Sequence, residues 1–438
     1  MSEAAPREAR PWRRAIAWLL LLGPFFFATY SLANHLAAQH AEVPSIIFGW
    51  EHVIPFVSWT IIPYWSIDVL YAVSVFVCLT RAELDTLGRR LLSAQVLAVT
   101  CFILFPLRFT FIKPEMDGLI GFMFDALESF DEPFNQAPSL HIALLVILWV
   151  CFARHVPRWA LWPLHGWFLL IGVSVLTTWQ HHFIDVPTGA WLGLFTLWLW
   201  PDHGPSPFRG IRPTADPRRR RLAGRYAAAS MLLVALAFGL GGWALWLLWP
   251  AASLLLVAAG YGLLGTSVFQ KDGHGRLSFA ARWLLGPYLW GAALNTRFWK
   301  GDGRAHVALR DGVSVGRFPD AHTAARFATV IDLTAELPGR AGARGYAAFP
   351  MLDLATPAAE TLRRAAAEIE ERRAQGDILV CCALGYSRSA AAAATWLLAT
   401  GRATSAADAV AQIRLLRPHI VLDDAALSAI AEAAAARA

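Results

Sequence analysis

The chain comprises 438 residues, 56% of them hydrophobic, and its mean hydropathy of +0.45 excludes a wholly soluble protein. A net charge of +6 and a pI near 9.3 do not point to nucleic acid, because the arginines cluster beside apolar runs. Of the five cysteines, Cys78, Cys101 and Cys151 lie in apolar runs and Cys381 and Cys382 are adjacent, so no disulfide framework is indicated.

In chain order, Arg7, Arg10, Arg13 and Arg14 precede a first apolar run at about residues 15–35, with no small-residue cleavage site that stands out, which predicts a retained helix. Further runs long enough to cross a bilayer fall at about 57–79, 91–107, 139–153, 159–178 and 185–201, and the weaker stretch 43–55 is expected to lie along an interface. A later block, Tyr226 to Phe269, is interrupted by Gly241-Gly242 and Pro250, and its length suits a helical hairpin. The 20 tryptophans fit a chain anchored at lipid headgroups. Arg81, Arg89 and Arg90 follow the second run, Arg154 and Arg158 the fourth, and Arg209, Arg212, Arg218, Arg219, Arg220, Arg221 and Arg225 the sixth. These segments alternate with arginine-poor ones, so they and the amino terminus are expected on the cytoplasmic side, and eight passes return the chain there. The organisation read from this is a six-helix membrane domain over 1–205, a flexible basic linker over 206–225 and a transmembrane hairpin over 226–270. An interfacial amphipathic linker over 271–303, carrying Trp283, Trp290 and Trp299, and a soluble domain over 304–438 follow.

The first domain carries a constellation at its outward edge. Arg108 and Lys113-Pro114 follow the third run, Pro138-Ser139-Leu140-His141 opens the fourth, and His181-His182-Phe183-Ile184-Asp185 lies between the fifth and sixth. Two histidines, a carboxylate close behind one of them and two cations suit phosphoryl transfer through phosphohistidine: the cations neutralise phosphate, one imidazole attacks, the Asp orients it, and the other imidazole protonates the leaving oxygen. Competing readings are polar residues at headgroup level and a metal site; no His-Glu-x-x-His pairing is present, and no metal is assigned. The pattern resembles the type 2 phosphatidic acid phosphatase superfamily, in its branch with Pro-Ser-Leu-His that includes inositol phosphorylceramide synthases. That resemblance covers about residues 40–205. It implies His141 as leaving-group acid, His181 as nucleophile and Asp185 as its partner, with Arg108, Lys113 and Ser139 on the substrate. Ser174-Val175 stands where the superfamily has Ser-Arg, and the first motif is shortened to Arg108-x4-Lys113-Pro114, which opens a transferase reading beside the hydrolase.

The soluble domain holds the sharpest motif, Ile378-Leu379-Val380-Cys381-Cys382-Ala383-Leu384-Gly385-Tyr386-Ser387-Arg388-Ser389, followed by an alanine-rich run to Thr400. An apolar strand ending on cysteine, a tight glycine loop and a strong helix start form a phosphate cradle. Loop N–H groups and the open helix end receive an oxyanion and favour the thiolate of Cys382 as nucleophile, while Arg388 grips two phosphate oxygens as a fork. The bland alternative is a buried strand cysteine and a helix-start arginine. The motif resembles the cysteine-dependent dual-specificity phosphatases, whose loop reads His-Cys-x-x-Gly-x-x-Arg-Ser. Cys382, Gly385, Arg388 and Ser389 match, and Cys381 stands in the place of the histidine. The resemblance runs from about Val307 to the carboxy terminus and implies an α/β domain with Val313–Gly316 and Val330–Leu333 as early strands and Arg417-Pro418 as a late helix break. It also implies Asp353 as general acid, with Ser387 lining the cradle; the alternative for Asp353 is a helix cap.

The whole therefore reads as a bifunctional polytopic α-helical membrane protein of about eight transmembrane helices with a C-terminal α/β phosphatase domain. It is expected in a bacterial inner membrane, with an outer histidine-based site and a cytoplasmic cysteine-based one, since an exposed thiolate needs a reducing compartment. Its expected partners are membrane lipids and a phosphorylated lipid or phosphoprotein substrate, with no cofactor and no nucleic acid. The alternative is a lipid headgroup phosphotransferase regulated by a catalytically inactive, phosphate-sensing carboxy-terminal domain.

Overall fold

The computed structural model describes residues 9–299, 304–339 and 344–435, and the chain divides into two compact units, Met1–Ser206 and Pro207–Ala438. The first is helical: α1 (Trp12–Ala38), α2 (Ile61–Val77), α3 (Arg81–Leu104), α4 (Gly118–Glu128), α5 (Leu140–His155), α6 (Leu161–Thr177) and α7 (Asp185–Leu199). Polar side chains set the starts. Thr80 accepts from the Glu83 N–H ahead of α3, Glu83 returns to the Leu79 N–H at 2.9 Å, and Ser139 accepts from the Ile142 N–H ahead of α5. Because only residues 78–80 join α2 to α3, the arginines that follow the second apolar run are helical rather than loop residues. Arg90 is buried and pairs with Asp202 at 3.0 Å while donating to the Trp200 carbonyl, so it ties α3 to the end of α7.

At the centre lie α5 and α7, which are 16 and 15 residues long. They approach closely because glycine faces the partner backbone: a Cβ on Gly189 would fall 2.4 Å from the Ser139 carbonyl, and one on Gly193 2.8 Å from that of Ala143. The close seam lets the Ser139 N–H donate to the Asp185 carbonyl at 3.1 Å and so registers the two helix ends. The stretch 43–55 contains a short 3-10 turn, Gly49–Val53, that turns Glu51 into the interior. Across the described residues, six helices are long and apolar enough to cross a membrane.

The second unit opens with α8 (Pro217–Leu240) and α9 (Leu248–Ala259), joined where Ser230 donates to the Ala251 carbonyl at 2.8 Å. Residues 217–225, read above as flexible linker, are the first turns of α8. Asp216 accepts from the Arg218 N–H and Pro217 pre-sets the first helical position, which together start the helix earlier than hydropathy alone indicates. The helices α10 (Phe279–Leu284) and α11 (Gly286–Phe298) follow, and no residue of α11 is buried.

A five-stranded sheet forms the rest: β1 (His306–Arg310), β2 (Val313–Arg317), β3 (Thr329–Thr334), β4 (Gly345–Met351) and β5 (Ile378–Cys382), in the order β1-β2-β5-β3-β4. Only the β1–β2 pair is antiparallel. Of the parallel connections, β2 to β3 runs through α12 (Ala321–Ala324) and β4 to β5 through α13 (Ala359–Arg372), while α14 (Arg388–Ala399), α15 (Ala406–Leu416) and α16 (Asp424–Ala435) follow the last strand and complete the domain. The strand β5 is central and wholly buried. Every residue of α14 from Arg388 to Leu397 is buried too, which explains its alanines: a helix enclosed by β5, α13 and α16 has no room for larger side chains. On α13, Leu362, Ala365, Ala366 and Ile369 recur at helical spacing to make the facing stripe.

Gly189→Val is expected to force the α5–α7 seam apart and to destabilise the first unit by about 1–3 kcal/mol. A lowered melting temperature of the detergent-solubilised protein checks this, with Gly166→Val, which meets nothing within 4 Å, as the unaffected control.

Candidate active sites

The α5–α7 seam brings the histidine constellation together. His181 sits between Asp185, 3.2 Å from its Nδ1, and Ser139, whose Oγ lies 3.2 Å from its Nε2. All three residues are buried. With Asp185 accepting at Nδ1, Nε2 is left as the basic, nucleophilic nitrogen, and the Ser139 hydroxyl donates to it while accepting from the Ile142 N–H. His141 stacks on Tyr64 with ring centres 4.1 Å apart, and its Nε2, like Asp185 Oδ1, is buried without a hydrogen-bond partner among the described residues. Lys113 pairs with Glu128 at 2.8 Å. Arg108 is exposed on a surface recess with His40, Glu42, Pro44 and Phe134, and its guanidinium makes no hydrogen bond or ion pair among the described residues.

Sequence reasoning missed Glu51. Its carboxylate accepts from the N–H groups of Phe48 (2.7 Å) and Phe183 (2.9 Å) and meets His182 Nδ1 at 3.1 Å, while Thr110 meets the other ring nitrogen at 3.2 Å. Burial alone would raise the Glu51 carboxyl, but His182 and the two backbone donors hold it below the ordinary range. His182 thereby ties the stretch 43–55 and the segment after α3 to the loop that carries His181.

The cradle at the end of β5 is built differently. Cys382 closes the strand, buried, with Sγ 3.3 Å from the Ser389 hydroxyl. The carbonyls of Ala383, Leu384, Gly385 and Tyr386 are all taken from outside the loop, by Phe318 N–H, Arg417 Nη2, Arg417 Nε and Val421 N–H respectively. Turning four carbonyls outward directs the loop amides into the cup, an anion nest at the start of α14. Gly385 is needed there: its φ is +77°, and a Cβ would fall 2.6 Å from the Gly316 backbone. Ser387 precedes α14 and its carbonyl accepts from the Ala391 N–H.

Arg388 is buried and carries the charge of the site. Glu336 takes its Nη1 at 2.9 Å and its Nη2 at 2.8 Å, and the Met351 carbonyl takes the second Nη1 hydrogen at 3.0 Å. The remaining edge is Nε and Nη2: Nε has no partner among the described residues, and Nη2 meets Asp353 at 2.9 Å. That edge is the planar fork that two phosphate oxygens fit. Burial opposes charge on both partners, yet Arg388 holds the Glu336 carboxyl below its ordinary range and Glu336 keeps Arg388 charged. Cys381 points to the opposite face of the sheet, among Ala324, Phe327, Val330 and Leu379, where burial pushes its thiol well up, so it is packing rather than chemistry. Glu336 and Arg417 were missed by sequence reasoning; Arg417 was read only as a helix break. Among the described residues no three His, Cys, Asp or Glu side chains converge as a metal site.

Residues 314–435 match the model of the dual specificity phosphatase catalytic domain. No curated protein matches the chain. Similar solved structures include PTPMT1 in complex with PI(5)P (20% identity, TM-score 0.28, covering 30% of this chain and 96% of that one). Tk-PTP in the active form (24%, 0.27, 30% and 98%) and human DUSP28 (22%, 0.27, 31% and 95%) are others. The carboxy-terminal domain is therefore a cysteine-dependent phosphatase of dual-specificity type, and the chain is a phosphoric monoester hydrolase.

Glu336→Gln leaves the Arg388 charge buried without its counter-ion and is expected to cost about 3–5 kcal/mol. A carboxyl depressed in the folded state contributes stability that is fully present above the ordinary value of 4.5 and is lost as pH falls through the lower folded value. Unfolding followed from neutral pH downward should show that acid step in the parent protein and lack it in the variant.

Proposed function

We propose that the chain is a membrane-embedded phosphatase whose cysteine site dephosphorylates lipid headgroups at the cytoplasmic face. The observation that carries this is the cradle itself, with Arg388 Nε unpartnered among the described residues and Nη2 on Asp353, in one compact unit with an apolar hairpin. A site held at a bilayer meets lipid phosphate at high effective concentration. Exposed Leu232, Leu236, Phe238, Leu240 and Trp243 on the hairpin support its contact with lipid. The arginines flanking the apolar runs, among them Arg218, Arg219, Arg220 and Arg221 at the start of α8, support a cytoplasmic carboxy-terminal domain, in agreement with the reducing compartment a catalytic thiolate needs.

The reaction is two displacements. A phosphate monoester enters the cup as its monoanion, its oxygens take the loop amides and the Nε–Nη2 edge, and Asp353 yields its place on Arg388 and takes up the monoanion's proton. The Cys382 thiolate attacks phosphorus, an S–P bond forms as the ester P–O bond breaks, and Asp353 gives its proton to the leaving oxygen. Water then attacks phosphorus, Asp353 takes its proton, the S–P bond breaks, and phosphate and thiolate are released. Ser389, 3.3 Å from Sγ, stabilises the returning thiolate.

A second activity is favoured by one specific observation, the buried Ser139–His181–Asp185 array with unpartnered polar atoms on His141 and Asp185 beside it. On this reading His181 Nε2 accepts a phosphoryl group from a lipid on the outer side and His141 protonates the leaving oxygen. Hydrolysis or transfer follows, depending on whether water or a lipid hydroxyl accepts.

Cys382→Ser is expected to abolish vanadate-sensitive release of phosphate from lipid vesicles, by at least about 10³-fold, while His181→Ala spares it. Equal loss in both variants refutes separate sites. Activity on phosphotyrosine peptides but not on vesicles refutes the lipid substrate. Mass spectrometry of lipids incubated with Cys382→Ser protein reports the second activity: new phospholipid means transfer, dephosphorylated lipid means hydrolysis, and neither overturns that reading.

A further inference from the structure

The hairpin and the strap that follows it meet the phosphatase site at two points, both outside the matched segment 314–435. The first is Tyr261, in the π-helical turn Gly260–Leu264 that ends α9. It is 2% exposed, and its hydroxyl donates to the Asp353 carbonyl at 3.0 Å. Arg219 of α8 holds the turn from the other side, donating from Nε to the Tyr261 carbonyl at 3.1 Å, and the ring packs on Tyr226, 5.5 Å away. The second is Lys271, fully buried beneath the turn after β3. It pairs with Asp332 and donates to Thr334 Oγ1 (3.0 Å) and to the carbonyls of Thr334 (2.7 Å) and Leu337 (2.6 Å). Backbone bonds seal this strap, with the Gly339 N–H on the Gly275 carbonyl and the Ala348 N–H on that of Gly273.

These contacts fall on the two loops that dress Arg388. Lys271 clamps the turn that presents Glu336, and Tyr261 holds the residue that presents the Asp353 carboxylate. The second loop needs holding: Leu354, next along, is exposed and has a φ of +55°, a conformation disfavoured for leucine that persists only when its surroundings fix it. A hydrogen bond to the carbonyl just before Leu354 supplies that restraint, and its donor belongs to the hairpin.

We propose that Tyr261 is a positioning residue for the phosphatase reaction, setting the general-acid loop through the Asp353 carbonyl, so that the hairpin completes the catalytic site rather than only tethering it. The proposal rests on Asp353 as general acid. A tyrosine that only stabilises the fold would slow all substrates alike. One that positions the acid matters in proportion to how much the leaving group needs a proton.

The test uses the full chain in detergent micelles and compares an alkyl phosphate, whose alkoxide must be protonated, with p-nitrophenyl phosphate, whose leaving group departs unaided. Tyr261→Phe keeps the ring and removes the hydroxyl. It is expected to lower kcat on the alkyl ester about tenfold, to change kcat on p-nitrophenyl phosphate by less than about twofold, and to leave inhibition by vanadate intact. Tyr226→Phe, which removes a hydroxyl from the same cluster, leaves the ratio of the two rates unchanged. Asp353→Asn shows the same leaving-group dependence more strongly. Equal loss on both substrates, loss on neither, or loss of vanadate inhibition in Tyr261→Phe overturns the proposal while leaving the general-acid reading intact. Absence of leaving-group dependence in Asp353→Asn overturns both.

Discussion

A guanidinium buried at the start of a helix is the constraint from which the phosphatase domain is organised. Arg388 sits where an unpaired charge would be prohibitive, so the fold must supply a carboxylate, and Glu336 reaches it from the turn after β3. Because the pair is end-on, through Nη1 and Nη2, it neutralises the arginine without covering the edge that a phosphate needs. The same side chain thus has its charge countered in the core and keeps Nε unpartnered among the described residues. A lysine could not divide its donors this way, having no second planar edge. The alanines of α14 follow from the same requirement. The helix must lie tight against β5 for Arg388 to start beside Cys382, and only small side chains permit it.

The cup beside it depends on a second arginine acting from behind. Arg417 takes two loop carbonyls at 2.7 and 2.9 Å and so decides which way the peptide groups face. The amides are donors because the carbonyls are already spent. In the helical unit the orienting role falls to carboxylates: Asp185 takes one nitrogen of His181, Glu51 takes one of His182, and both carboxylates also accept from the backbone. In each case the orienting group is itself bonded to the main chain, Arg417 to loop carbonyls and the two carboxylates to backbone N–H groups.

That division explains what was legible in the sequence. Cys382, Gly385 and Arg388 lie within seven residues, so one strand, one turn and one helix start bring them together and the motif reports its own geometry. The apolar runs were legible for the same reason, since hydropathy is a local property. Glu336, Arg417 and Glu51 were not, because each acts across a separation that no window spans: Glu51 meets His182 from 131 residues away, and Arg388 meets Glu336 from 52. Arg90 was misread because a buried arginine holding a helix end and an arginine marking a cytoplasmic loop look alike in composition. The early start of α8 was hidden by its four consecutive arginines, which resemble a linker until Asp216 and Pro217 are weighed as a cap. Arg108, read from the sequence as a phosphate contact, lies exposed on a surface recess.

The hairpin changes what counts as the catalytic unit. A buried lysine is costly unless every donor is satisfied, and Lys271 satisfies its own entirely on the turn that carries Glu336. Removing the strap would therefore leave Asp332 as an uncompensated charge beneath β3, with Tyr346 at 2.6 Å as its remaining side-chain donor from another strand. The cationic partner of Asp332 thus lies outside the matched segment 314–435. That segment's polar interior is completed from the apolar hairpin, and the joint lies directly under the loops that present Glu336 and Asp353. A disturbance of the hairpin end has a direct route to those loops, through the hydrogen bonds of Tyr261 and Lys271.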